Sequence, residues 1–165
     1  MTKPANSLET IPLNYLQLLE ALRVRYQFPP FPDPLPSTQF HLQLDKEQSE
    51  VDLVVTINFV PVGTEVGSEE KVTFFCELGE YEPEYELKIL REVAQANFFW
   101  GATGGGTLSA QLEERKVYLA YQRPMEFLTE EKFIVITEQF ATIAQNWAVI
   151  LKLIREEEGN PGKPI

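Results

Sequence analysis

The chain has one cysteine and one histidine in 165 residues. A lone cysteine cannot build a disulfide framework within one chain, which fits a reducing cytoplasm. One histidine and one cysteine, with no clustered carboxylate pattern, offer no metal-ligand set of recognised spacing. Cations are scarce too: 14 Lys and Arg stand against 25 Asp and Glu, a formal net charge of −11. Phosphate backbones and anionic lipid surfaces are gripped by Lys and Arg, so nucleic acid and membranes are poor partners. No apolar run is long and unbroken enough to span a bilayer. Residues 1–12 lack the basic stretch and apolar core of a secretory signal.

What is present suits a globular protein. A hydrophobic fraction of 44% supplies a core, and the length suits one domain. We expect that domain to cover 1–158, with a disordered tail at 159–165 rich in Gly and Pro. Strong acidity keeps the surface solvated and suits a basic or amphipathic polypeptide partner.

Apolar periodicity orders the elements. Leu13 to Tyr26 reads as a helix with Leu16, Leu19 and Tyr26 in a stripe and Leu18 and Leu22 beside it. Prolines at 29, 30, 32, 34 and 36 end it. That stretch reads either as a stiff connector or as a ligand for an aromatic groove. Period-two alternation then marks three strands: Phe40, Leu42 and Leu44; Val51 through Phe59; and Val72, Phe74, Cys76 and Leu78. A polar loop at 63–71 separates the second strand from the third. A second helix over 85–97 runs into Phe98-Phe99-Trp100 and a glycine loop at 101–106. A hairpin follows, with Leu108, Ala110 and Leu112 on one strand and Val117, Leu119 and Tyr121 on the other. A last helix starts near Thr129, with Phe133, Ile136, Phe140, Ile143, Trp147, Ile150 and Ile154 at three- and four-residue spacings. That seam fits a helix covering a sheet, or a short coiled coil. Glu156-Glu157-Glu158 opposes the helix dipole at its end, so fraying is expected there. The order α-β-β-β-α-β-β-α predicts an α+β fold, a twisted antiparallel sheet covered by helices.

The chemistry-bearing residues assemble into no catalytic site. Phosphate-binding glycine loops lie between a strand and the helix after it. Here a helix precedes the glycines and no Gly-Lys-Ser/Thr ending follows, so the loop reads as a tight helix-to-sheet connection. His41 falls on the polar face of its strand, and Cys76 shares an apolar face with Phe74 and Leu78. Nothing in sequence lowers the Cys76 pKa or pairs a nucleophile with a base. No catalytic residue, cofactor or metal is expected. A small enzyme or ligand-binding domain stays open as a third reading, hinging on His41 and Cys76.

From residue 85 onward the chain resembles the small acidic type III secretion chaperones that escort single effectors, CesT-like or SycE-like. The resemblance rests on the helix end Ala96-Asn97-Phe98, the 101–106 loop with Leu108, the hairpin through Tyr121, and a last helix carrying Phe140 and Trp147. It implies a cytoplasmic homodimer without catalysis that holds the N-terminal segment of one or more effectors in extended, non-globular form. Mapped by position, it implies dimer contacts at Leu87, Leu90, Val93, Ala94 and Phe98, which equally suit packing within one chain. It implies cargo contacts at Leu18, Leu22, Phe40, Leu42, Val54 and Phe75. Of these, Val54 and Phe75 are apolar on the otherwise polar face of their strands. A second reading keeps the fold but makes the chain a regulatory adaptor for a folded partner, such as a secretion regulator or the secretion ATPase. The proline stretch, the loop at 61–71 and the tail are all longer than the family pattern.

Overall fold

The computed structural model describes residues 13–31, 39–44, 53–60 and 69–158. The expected prolines at 32, 34 and 36, Val51, most of the polar loop and the tail lie outside the described residues, as do the side chains of Phe40, Leu44, Phe99, Glu157 and Glu158.

Five strands form one antiparallel sheet in the order β1-β2-β3-β5-β4. They are β1 (Gln39–Leu44), β2 (Leu53–Val60), β3 (Lys71–Glu80), β4 (Thr107–Gln111) and β5 (Lys116–Pro124). Alternation puts Leu53, Val55, Ile57 and Phe59 of β2, Val72, Phe74, Cys76 and Leu78 of β3, and Val117 and Leu119 of β5 on one buried face. The pairing register shifts between Glu77 and Gly79, where Gly79 takes a φ of 140° open mainly to glycine.

Two helices cover that face. In α1 (Leu13–Tyr26), Tyr15, Leu18, Leu19 and Leu22 are buried. The Tyr15 ring lies 5.5 Å from that of Phe59, and its hydroxyl donates to the Ile57 carbonyl at 3.2 Å. The stripe is thus rotated from the expected one: Leu16 is half-buried and Tyr26 is exposed. The arc that meets the sheet, at 15, 18, 19 and 22, spans about 100° of the helix and is turned by roughly 70° from that of 16, 19 and 26. Tyr26 turns instead toward α3, the third helix (Glu130–Glu158), donating to Glu138 at 3.0 Å.

Thr129 caps α3, accepting the Lys132 N–H on its hydroxyl and the Phe133 N–H on its carbonyl. Glu130 and Glu131 suit the positive end of the dipole. Phe133, Thr137, Phe140, Ala144, Trp147, Leu151 and Ile154 form the buried stripe, and Phe74 meets the rings of Phe133 and Phe140 at 5.7 Å each. Each such fully buried apolar side chain contributes about 1.5–3 kcal/mol. Ile136 and Ile143 are half-buried and Ile150 exposed, so the isoleucines flank the stripe rather than lie on it. Small residues at 137, 144 and 148 let the helix sit close to the sheet, which turns the apolar arc by part of a turn. Among the described helices, α3 alone is long and apolar enough to cross a membrane, and here its most apolar side is packed on the sheet.

A 3-10 turn at Pro83–Tyr85 leads into α2 (Glu86–Phe99), which packs against β4.

Candidate functional site

The glycine loop joins α2 to β4 by backbone geometry. Trp100 ends the helix at φ 51°, and its carbonyl accepts the Thr103 and Gly105 N–H groups. Gly104 lies at φ 58°, and a Cβ there would run into Cδ1 of Ile143. The buried Thr103 hydroxyl donates to the Gly106 carbonyl at 2.8 Å, and the Trp147 indole N–H donates to the Ala102 carbonyl at 2.8 Å. The Thr103, Gly105 and Gly106 amides are spent on the loop itself, which makes it a connector, as its order in the sequence predicts.

The sheet face opposite α1 and α3 carries the first apolar surface. Phe75 is 41% exposed and stacks on Tyr118 with ring centroids 5.1 Å apart. Val54, on the same face of β2, is exposed too. The patch has a polar rim: Glu77 accepts from Lys116 at 3.1 Å and from the Tyr118 hydroxyl at 3.4 Å. The hydrogen bond to Glu77 raises the Lys116 pKa, and desolvation followed by the Glu77 charge raises that of Tyr118. His41 shares this face and its Nδ1 lies 3.1 Å from the Thr56 hydroxyl.

The second surface is a groove of about 630 Å³ between α1 and the start of α3. Leu16, Ala21, Val24 and Ile134 supply its apolar wall; Glu20, Arg25 and Glu130 supply its rim. Val24 is 62% exposed. Beyond Gln17 and Glu130 the groove adjoins a second hollow of about 620 Å³ that reaches Met125 and Leu128. One rim is held by ion pairs: Arg23 binds Glu20 at 2.6 Å, and Arg25 reaches Glu138 at 3.4 Å.

The third surface is the outer side of α2. Leu87 and Phe98 are 61% and 75% exposed, and Trp100 at the C-cap is 65% exposed. Ala94 is exposed with them, Leu90 is half-buried, and Val93 is buried in the chain's own core.

Several expected site residues lie elsewhere than on these surfaces. Leu22 and Leu42 are buried in the core, and Leu18, almost fully buried, lines the second hollow beside the groove. Val54 and Phe75 do stand on one exposed face. Leu16, expected in the core stripe, lines the groove instead, and Ala21, Val24, Ile134, the Tyr118 partner of Phe75, and Trp100 join these surfaces without having been expected there. Val24 carried a usable signal, an apolar residue two positions beyond the buried arc. Cys76 is buried, and desolvation, aided by the Glu77 charge, pushes its thiol up to about 12, far from a nucleophile's range. Among the described residues no group of three or more His, Cys, Asp and Glu stands close enough to hold a metal ion.

Residues 38–148 of this α+β chain match the Tir chaperone protein (CesT) family. The chain belongs to that family. It is a type III secretion chaperone, and its family is one of chaperones rather than enzymes. The matched stretch begins at β1 and ends inside α3, so it contains the sheet patch and all of α2. Solved structures agree on the fold. The chain is similar to one in the crystal structure of the ExsC-ExsE complex: TM-score 0.57, 19% identity, covering 82% of this chain and 91% of that one. It is also similar to a chain of the HopA1-SchA chaperone-effector complex: TM-score 0.56, 13% identity, covering 84% and 93%. No curated protein matches the chain significantly.

Proposed function

We propose that this chaperone works as a cytoplasmic homodimer that binds the N-terminal segment of one or more effectors and keeps it extended and secretion-competent. The observation that carries the reading is the exposed Phe75–Tyr118 stack beside Val54, on the sheet face that the chain's own helices leave open. Apolar side chains of an extended segment would cover that patch. The groove wall at Leu16, Ala21, Val24 and Ile134 offers a second anchorage, and acidic rims at Glu20, Glu77 and Glu130 suit basic residues flanking the anchors. The exposed Leu87, Ala94 and Phe98 support dimer contacts through α2, with Trp100 beside them. The chain acts by binding and not by catalysis. Its lone cysteine, buried and reduced, suits the cytoplasm.

The test is capture of the tagged chain from its native cytoplasm, with limited proteolysis of the complex and mass spectrometry. A protected N-terminal segment of a secreted protein, lost from a Val54→Asp/Phe75→Asp variant, is the expected outcome. Protection of a folded domain instead, for example of the secretion ATPase, would replace this reading with that of a regulatory adaptor. Capture unaffected by the double variant would remove the sheet face from the site.

A further inference from the structure

The outward side of α3 is used by none of these surfaces. Between Glu138 and Lys152 the helix carries no charge, in a chain of net charge −11. Opposite its core stripe run Val135, Gln139, Thr142, Asn146, Val149 and Leu153, at alternating four- and three-residue spacings, the repeat of a coiled-coil seam. Val149 is half-buried and the other five are exposed. A solvated helix face on an acidic protein ordinarily carries charge.

We infer that this face pairs with the same face of a second copy, with the two α3 helices antiparallel. An antiparallel pair centred near Ala144 sets Val135 opposite Leu153 of the second copy, Gln139 opposite Val149, and Thr142 opposite Asn146. Two-fold symmetry repeats each pair. The same register meets the charges without adjustment. Lys132 falls opposite Glu156, and on one flank Glu138 falls opposite Lys152, so the two copies contribute four pairs of opposite sign. On the other flank Ile136 faces Ile150, and Ile143 faces its own counterpart. This adds a contact for Ile150, and for the sides of Ile136 and Ile143 that their packing on the core leaves open. A parallel pair would set Lys132 on Lys132 and Glu156 on Glu156, and a shift of one repeat would break every one of these matches.

The side chains are placed to make the exchange. Arg25 and Tyr26 both bond Oε1 of Glu138, so neither of them engages Oε2. Among the described residues Lys152 pairs with Glu156 through an exposed contact of 3.9 Å, the kind of pair that contributes little and is readily traded. Gln139, Thr142 and Asn146 at the centre set the register at some cost in strength, so the association is reversible. The face is separate from α2, so a chain that used both would assemble beyond a dimer as concentration rises.

The test is proximity in solution. Gln145 lies on the Glu138–Lys152 flank and faces its own counterpart across the two-fold axis. The full-length Gln145→Cys variant at micromolar concentration is treated with a short bis-maleimide, with Glu113→Cys in the β4–β5 turn as reference. Cys76 is buried and adds no background. The Gln145→Cys chain is expected to cross-link several-fold more than the reference. Adding Lys132→Glu or Glu156→Lys lowers that yield several-fold, and mixing the two charge variants restores it. Both charge changes suit the helix dipole, an acid at its start and a base at its end, so loss of folding does not explain a lower yield. Cross-linking no better than the reference overturns the inference, as does indifference to the charge variants or a mixture that fails to recover. A chain dimeric only through α2 gives the first of these results and leaves the proposed function standing.

Discussion

Asn97, near the end of α2, holds the backbone of Leu108 in β4 at both ends of its side-chain amide. Its Nδ2 donates to the Leu108 carbonyl at 2.8 Å, and its Oδ1 accepts the Leu108 N–H at 2.9 Å. A side chain thus takes the place of a neighbouring strand on the outer side of β4, at the edge of the sheet. The helix, the glycine loop and the edge strand are locked in one geometry, and the outer face of α2 is aimed by it.

Asn97→Ala leaves that N–H and carbonyl without their partners at a site screened by the helix. The expected cost is about 1–3 kcal/mol. At about 2–4 °C per kcal/mol for a chain of this size, thermal melting should fall by several degrees. A variant that melts with the parent would show that water replaces the amide in full.

Trp147→Phe keeps most of the buried volume but loses the N–H that satisfies the Ala102 carbonyl. We expect a loss of about 1 kcal/mol. Trp147→Ala empties the site as well and should cost about 3–5 kcal/mol. Denaturant melts of the pair separate the hydrogen bond from the packing, and equal losses would show that the bond contributes nothing.

Stability should fall as the solution becomes alkaline. The Cys76 thiol goes from an ordinary 9.0 to about 12 on folding, by burial first and the Glu77 charge second. Tyr26 is raised to about 12 from 10.0, by burial and then by its bond to Glu138. For a group raised in the folded state, the contribution is complete below the unfolded value and is lost as pH climbs toward the folded one. Melting temperatures should therefore be flat to about pH 8 and decline from about pH 9. A Cys76→Val variant should show a shallower decline; an identical slope would clear Cys76 of any part in it.

Surface and core versions of the same change should divide cleanly. Phe98→Asp alters a well-exposed side chain and should melt within about 0.5 kcal/mol of the parent, while Phe75→Asp also loses the stack on Tyr118 and should cost about 0.5–1.5 kcal/mol. Phe75→Asp should weaken effector capture at least tenfold, and Phe98→Asp should shift the sedimentation of the chain toward monomer. Leu22→Asp puts a carboxylate into the core and should prevent folding altogether. Phe98→Asp sedimenting like the parent would remove α2 from the dimer contacts.

Much of this molecule could be read from local pattern. Alternation in β2 and β3 identifies the buried face residue by residue, because a strand has only two sides and one is dry. The order helix, glycines, hairpin rules out a phosphate loop from chain direction alone. Thr129 before two glutamates marks the start of α3. The composition points away from nucleic acid and toward a polypeptide partner, since charge is a property of the chain before it folds.

Other features were settled only when the elements met. A helix has no fixed dry side, so Leu16, Leu18, Leu19, Leu22 and Tyr26 were all candidates for the core of α1. The sheet selected Leu18, Leu19 and Leu22 and left Leu16 and Val24 to line a groove. The same choice in α3 buried Thr137 and Ala144 ahead of Ile136 and Ile150, because close packing rewards fit as well as apolar area. Residue types and their spacing therefore determined the elements, the dry face of the sheet and the acidic character of the surface. Only the tertiary structure decided how far each helix is rotated, and that rotation separates core side chains from those left exposed for a partner.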